Sequence, residues 1–158
     1  MWEQMIRTIP DDEWAKGEIG YLTPARHVIH ALDCACVLTG DFPLDQYDPN
    51  EWYEAEVKVS PFEIPSEILW SRKVALAKLA ETKVILEERL TKFDDETLLE
   101  PETVHPWSGQ TRMDKMLYVL RHSQHHLGAV EAELSRRGIK AATWEKEKAA
   151  KLEMSPWW

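Results

Sequence analysis

The chain has 158 residues, a formal net charge of −9, and 44% apolar against 30% charged residues, which suits a single domain over 1–158 with a core of useful size. The acidic surplus repels nucleic-acid phosphates and anionic bilayers, and the densest basic stretches, Arg136–Arg137 and the glutamate-interrupted Lys146–Lys151, are too sparse to reverse that, so neither nucleic acid nor membrane is an expected partner. Glu3, Arg7, Asp11 and Asp12 break any leader-like apolar run, and nothing approaches the ~18 apolar residues of a membrane span, so a cytoplasmic protein is expected.

Six glycines are few for this length and argue against an all-β fold built on tight turns. The stretch Trp2–Lys16 is interrupted by Pro10 and predicts only short helical pieces. Thr23-Pro24 is an N-cap residue followed by proline at the first helical position, which predicts a helix over 24–39 with Gly40 as its stop. Residues 41–64 contain Pro43, Pro49 and Pro61 without a sustained period. A connection that long either wraps the bundle or carries function. Glu56–Val59 alternates weakly, but a lone strand has nothing to pair with.

A second helix is predicted from Ser66 to about Leu90, because Leu69, Leu76, Leu79, Leu86 and Leu90 recur at threes, fours and sevens. Residues 92–110 read as a polar connector in which His105 is a surface residue. Thr111 with Asp114 three residues on forms a capping-box pattern, predicting a third long helix over 111–137 that stops before Gly138. Trp144–Leu152 suits one last short helix. The fold class is all-α. Cys34 and Cys36 sit two apart on a predicted helix, about 200° apart around its axis, so they cannot pair, as suits a reducing compartment.

Three of the six histidines lie in Arg121-His122-Ser123-Gln124-His125-His126. On a helix His122 and His126 are one turn apart on one face and can chelate a cation together; His125 points about 100° away. A solvated polar face and a hydrogen-bonded core histidine are the competing readings of the pair. The first long helix offers His27 and His30 as a third donor, with Asp33 and Cys34 on adjoining positions. Packed helices approach to about 8–10 Å between axes, close enough for imidazoles from both to meet one ion. Three histidines would leave a position for water or substrate.

These residues carry a resemblance. The chain resembles the DinB-like family of metal-binding four-helix bundles, most closely over Leu117–Gly138, where a Leu-Arg-His-x-x-His-His-x-Gly run stands. Pro24-Ala25-Arg26-His27 with His30, Trp107-Ser108-Gly109, and Gly138 followed by Trp144 match as well. The likeness covers about 14–144 and is weaker between 41 and 100. It departs at the N-terminus, where the usual long first helix is cut down.

The resemblance implies His30, His122 and His126 as metal ligands, with Asp33, Cys34 and Tyr118 as neighbours of the site. Asp33 either orients a ligand imidazole or is a solvated acid on the helix face, Cys34 is either a small buried hydrophobe or a group approaching the ion, and Tyr118 lines the open position or packs in the core. Zinc or nickel is the preferred ion and iron is possible, since imidazole suits all of them. Metal occupancy is expected to fall as pH drops through about 6. The family includes thiol-dependent transferases and isomerases, so a metal-dependent enzyme that activates a low-molecular-weight thiol or water is one expectation. A non-catalytic metal-binding or stress-associated module is the alternative. Family likeness and the terminal Trp157-Trp158 pair also suggest a homodimer.

Overall fold

A computed structural model describes residues 1–17, 23–43, 46 and 69–140. The expectations for the 41–64 connection beyond Pro43, the Glu56–Val59 alternation, the Trp144–Leu152 helix and the Trp157-Trp158 pair all fall outside these residues, apart from Gln46. Among the described residues the elements are α1 (Trp2–Thr8), α2 (Asp11–Trp14), α3 (Pro24–Thr39), α4 (Arg72–Leu90), α5 (Asp95–Leu99) and α6 (Arg112–Arg136), with a 3₁₀ turn at Pro106–Ser108. The one β-type pairing among them is an isolated bridge between Pro101 and Thr111. The all-α expectation holds.

Side-chain pairings give the helix directions. Cys36 on α3 meets Thr82 on α4, and Thr39 meets Arg89, so α3 and α4 run parallel. His27 and His30 on α3 meet His126 and His122 on α6, and Asp41 just past α3 meets Lys115, so α6 runs antiparallel to α3. Glu3 pairs with Lys83, and Arg72 donates to the Arg7 carbonyl, so α1 runs antiparallel to α4. Two helices therefore run each way in a four-helix bundle whose parallel pair α3–α4 needs a long crossover, which is the physical reason for the long proline-bearing connection between them.

The fourth side is closed by α1. Met5, Ile6 and Ile9 are fully buried against Ala25, Val28, Ile29, Leu32, Ala75, Leu79, Val130 and Leu134, and Trp2 donates from Nε1 to Ser123 Oγ on α6 at 2.7 Å. This helix has seven residues against nineteen in α4 and twenty-five in α6. A cleft of about 730 Å³ lies beside it, bordered by Trp2, Gln4, Ala35, Leu79, Thr82 and Leu86.

The ends of α3 and α6 are set by different chemistry. Gly40 follows α3 as predicted, but its φ is −90°, so the left-handed region is not what requires glycine there. A Cβ would lie 2.5 Å from the Phe42 ring and 2.8 Å from the Arg89 guanidinium; glycine is needed for close approach. That guanidinium donates to the Cys36 carbonyl at 2.6 Å and to Thr39 Oγ1 at 3.2 Å, satisfying acceptors at the helix end. The left-handed residue is Asp41, with φ 55°. α6 begins with the predicted capping box of Thr111 and Asp114. It ends on Gly138 at φ +75°, with Ile139 N–H donating to Leu134 and Gly138 N–H to Ser135, the Schellman arrangement that favours glycine.

The second long helix corrects the sequence reading. It starts at Arg72, not Ser66, because Ser71 is the N-cap and its side chain accepts from Val74 N–H. Leu69 and Trp70 precede the helix, and the Trp70 carbonyl accepts from Trp14 Nε1 at 2.5 Å. The connector at 92–110 is also more structured than a polar loop. Asp94 caps α5 through Thr97 N–H at 2.8 Å, and Glu102, His105 and Ser108 are buried. His105, expected at the surface, has no exposed area; its Nε2 lies 2.9 Å from the Phe42 carbonyl oxygen, and the carboxylate of Glu102 accepts from its backbone N–H.

Candidate metal centre

The backbone of α3 is enclosed almost throughout, with fourteen of its sixteen residues buried. Such a helix carries polar side chains only where they meet partners, and its histidines face α6. His30 stands over two of the three histidines of α6, with ring centroids 5.0 Å from His122 and 4.8 Å from His126. The 122/126 pair is one helical turn apart, with centroids 4.4 Å from each other. One ligand nitrogen from each of His30, His122 and His126 can be chosen so that all three lie within 4.8 Å of one another. The Nε2 atoms of His122 and His126 are 3.1 Å apart, near the ~3.3 Å expected between two nitrogens each ~2.0–2.1 Å from a tetrahedral ion. The three residues could hold a metal ion.

Their electrostatics suit a ligand set. Burial pushes the His30 imidazole down to about 4, with His122 and His27 adding to the shift. It pushes His126 to about 3, where His30, His122, His27 and His125 all disfavour a further positive charge. His122 is lowered by burial and by His125. Each ring is therefore neutral near pH 7, with a lone pair available, as metal binding requires. Proton competition at the folded site is displaced below the pH of about 6 that unperturbed histidine suggests, so metal retention should extend to lower pH than the sequence alone implies.

Among the other expected neighbours, Tyr118 stacks on His122 with ring centroids 5.7 Å apart and planes tilted by 21°. Trp107 meets Tyr118 edge-on at 5.1 Å, and the Arg121 guanidinium lies 5.5 Å from the Tyr118 centroid. Tyr118 is partly buried and borders His122. Cys34 is partly buried, and burial with the nearby Asp33 carboxylate pushes its thiol up to about 12. It lies outside the three-histidine group, which suits a small packing residue better than a metal ligand. Asp33 is buried and its carboxyl is pushed up to about 7 by desolvation; its charge acts on both Cys34 and Cys36. His125 is exposed and lies outside the three-histidine group.

His27 has a place that the sequence left open. It is 4% exposed, and its Nδ1 lies 2.8 Å from Nδ1 of His126, on the far side of that ring from Nε2. His30 thus stands in the three-histidine group and His27 behind it. The i,i+3 spacing of the two on one helix was the available signal, but spacing alone does not say which ring reaches furthest.

Beyond the histidines, Lys115 on α6 is fully buried. Its Nζ donates to Asp41, and it lies 2.5 Å from a carboxylate oxygen of Glu102. Arg112 adds a 2.6 Å bond to Asp41 and a 3.3 Å bond to Glu100. This cluster ties the residue after α3, the 100–111 connector and the first turn of α6 together. Nothing in the sequence pattern marked Lys115, since a lysine on a helix is ordinarily solvated.

The histidines also set an acid response. In the metal-free protein, His27, His30 and His126 have folded values of about 4, 4 and 3, below the unfolded value near 6.5. Between roughly pH 6.5 and 4 these three rings bind more protons in the unfolded chain, which outweighs the one proton that Asp33, raised to about 7, holds in the folded chain, so stability falls as pH drops through that window. Thermal melts of chelator-treated protein should show a melting temperature that declines steadily from pH 7 to pH 4.5. A flat or rising profile would contradict the burial of neutral imidazoles.

No curated protein matches the chain, and no solved structure does. The family model of the DinB superfamily matches residues 1–130. That span takes in α1, the whole of α3 and α4, and the three histidines. Among the described residues no helix is long and apolar enough to cross a membrane. Two helices running each way, a long crossover between the parallel pair, and a match over most of the sequence all agree: the chain belongs to the DinB superfamily.

Proposed function

We propose that the protein binds one divalent metal ion through His30, His122 and His126, and that this ion is the centre of its activity. The observation that carries the reading is three neutral, converging imidazoles from two antiparallel helices, with ligand nitrogens within 4.8 Å of one another. Zinc or nickel suits an all-imidazole donor set, and iron is compatible with it. Three protein ligands leave a coordination position for a small molecule, and a bound ion would supply Lewis acidity that lowers the pKa of a thiol or water held there.

The chain's own residues do the rest. α3 and α6 hold the rings on rigid elements, and packing around His126 keeps it neutral. Tyr118 covers one side of His122, and Trp107 backs Tyr118. Cys34, with its thiol held protonated, is a poor internal nucleophile, which supports an external low-molecular-weight thiol or a water as the activated group. The test is a turnover screen of zinc- and nickel-loaded protein with low-molecular-weight thiols and electrophilic acceptors. Metal-dependent thiol consumption supports an enzyme. Tight stoichiometric metal without turnover supports a metal-binding module instead.

A further inference from the structure

His126 faces two partners through its two ring nitrogens, and the two contacts exclude one another as destinations for its proton. A neutral imidazole carries one N–H and one lone pair. Nε2 of His126 lies 3.1 Å from Nε2 of His122, and Nδ1 lies 2.8 Å from Nδ1 of His27. With the proton on Nε2, His126 donates to His122, both nitrogens are engaged, and the lone pair points away from the three-histidine group. With the proton on Nδ1, His126 donates to His27, and the Nε2 lone pair is turned toward His122 and His30, the arrangement a cation requires.

We propose that His27 is a positioning residue: its Nδ1 accepts the Nδ1–H of His126 and so holds that ring in the one tautomer that can bind metal. His27 then carries its own proton on Nε2. The inference rests on the metal reading above. Both rings are buried, His27 at 4% and His126 at 5% exposure, so water cannot readily substitute for the acceptor, and α3 and α6 hold the two Nδ1 atoms 2.8 Å apart. Most second-sphere acceptors of metal-bound histidine are carboxylates or backbone carbonyls. A histidine in that place supplies an acceptor without adding a negative charge to the buried site.

The experiment compares zinc affinity, by competition with a chromophoric chelator, in the wild type, His27→Ala and His27→Asn. Asparagine places an amide oxygen near the position of Nδ1 and keeps an acceptor there. His27→Ala should bind zinc roughly 10–100-fold more weakly at unchanged stoichiometry, and His27→Asn should recover most of that loss. In parallel, long-range ¹H–¹⁵N spectra of the metal-free wild type should show His126 protonated on Nδ1, a signature that a packing role would not produce. Unchanged affinity in His27→Ala, equal losses in the alanine and asparagine variants, or a wild-type His126 protonated on Nε2 would each overturn the proposal. If the wild type takes up no zinc, the metal reading fails, and the tautomer spectrum still decides what His27 does to His126.

Discussion

Alanine at His30, His122 or His126 should abolish stoichiometric metal binding, and each of the three should do so alone. His30 is the only member of the three-histidine group on α3, and the other two share one turn of α6, so losing any one leaves at most two donors. An ion that binds only the folded state stabilises it by about 2.7 kcal/mol at a free concentration one hundred times its Kd. For a chain of this size that corresponds to a rise in melting temperature of roughly 5–10 °C, which the three variants should lose. His125→Ala should keep both metal and melting shift, since His125 is exposed and outside the group. His105→Ala should also keep the metal but melt lower, because it empties a buried position that contacts the Phe42 carbonyl. Equal metal content in the wild type and all three ligand variants, by elemental analysis, would remove the site.

The other large effect is expected at Lys115, far from any ligand role. Its ammonium is fully buried between Asp41 and Glu102, and the Glu102 side chain is 3% exposed. Lys115→Met keeps most of the volume but leaves the Glu102 carboxylate without its cation partner, a change that costs about 3–5 kcal/mol in buried pairs. Urea unfolding should show the midpoint falling accordingly with little change in slope. Adding Glu102→Gln to Lys115→Met should recover part of the loss, because the second change removes the uncompensated charge. Additive losses in the double variant, or a loss below 1 kcal/mol, would show that the cluster contributes little.

The sequence was legible where a local signal coincided with a local structure. Thr111 with Asp114, Thr23 with Pro24, and the glycines after α3 and α6 all mark helix ends, and those ends lie where the pattern puts them. The His122/His126 pair is legible for the same reason, since i,i+4 spacing fixes proximity once the helix exists. What depended on tertiary contact was not legible. α4 starts at Arg72, after the Ser71 cap, and the residue before that cap is held by Trp14, fifty-six residues away in sequence. His105 looked like a loop residue and is buried because its contacts come from Phe42 and Glu102. Gly40 was read correctly as a stop, but the need for glycine comes from Arg89 and Phe42 packing over it. His27 and His30 were indistinguishable by spacing, and only the packing of α3 on α6 separates the ring inside the group from the ring behind His126.

Metal content tests most directly whether three imidazoles hold one ion. Protein produced without a histidine tag, purified without added metal and measured by elemental analysis, should carry about one equivalent of a divalent transition metal per chain, with zinc or nickel foremost. After chelation it should take up one equivalent of added zinc and regain its melting temperature. A chain that is metal-free as purified and binds no added zinc, nickel or iron near neutral pH would contradict the account.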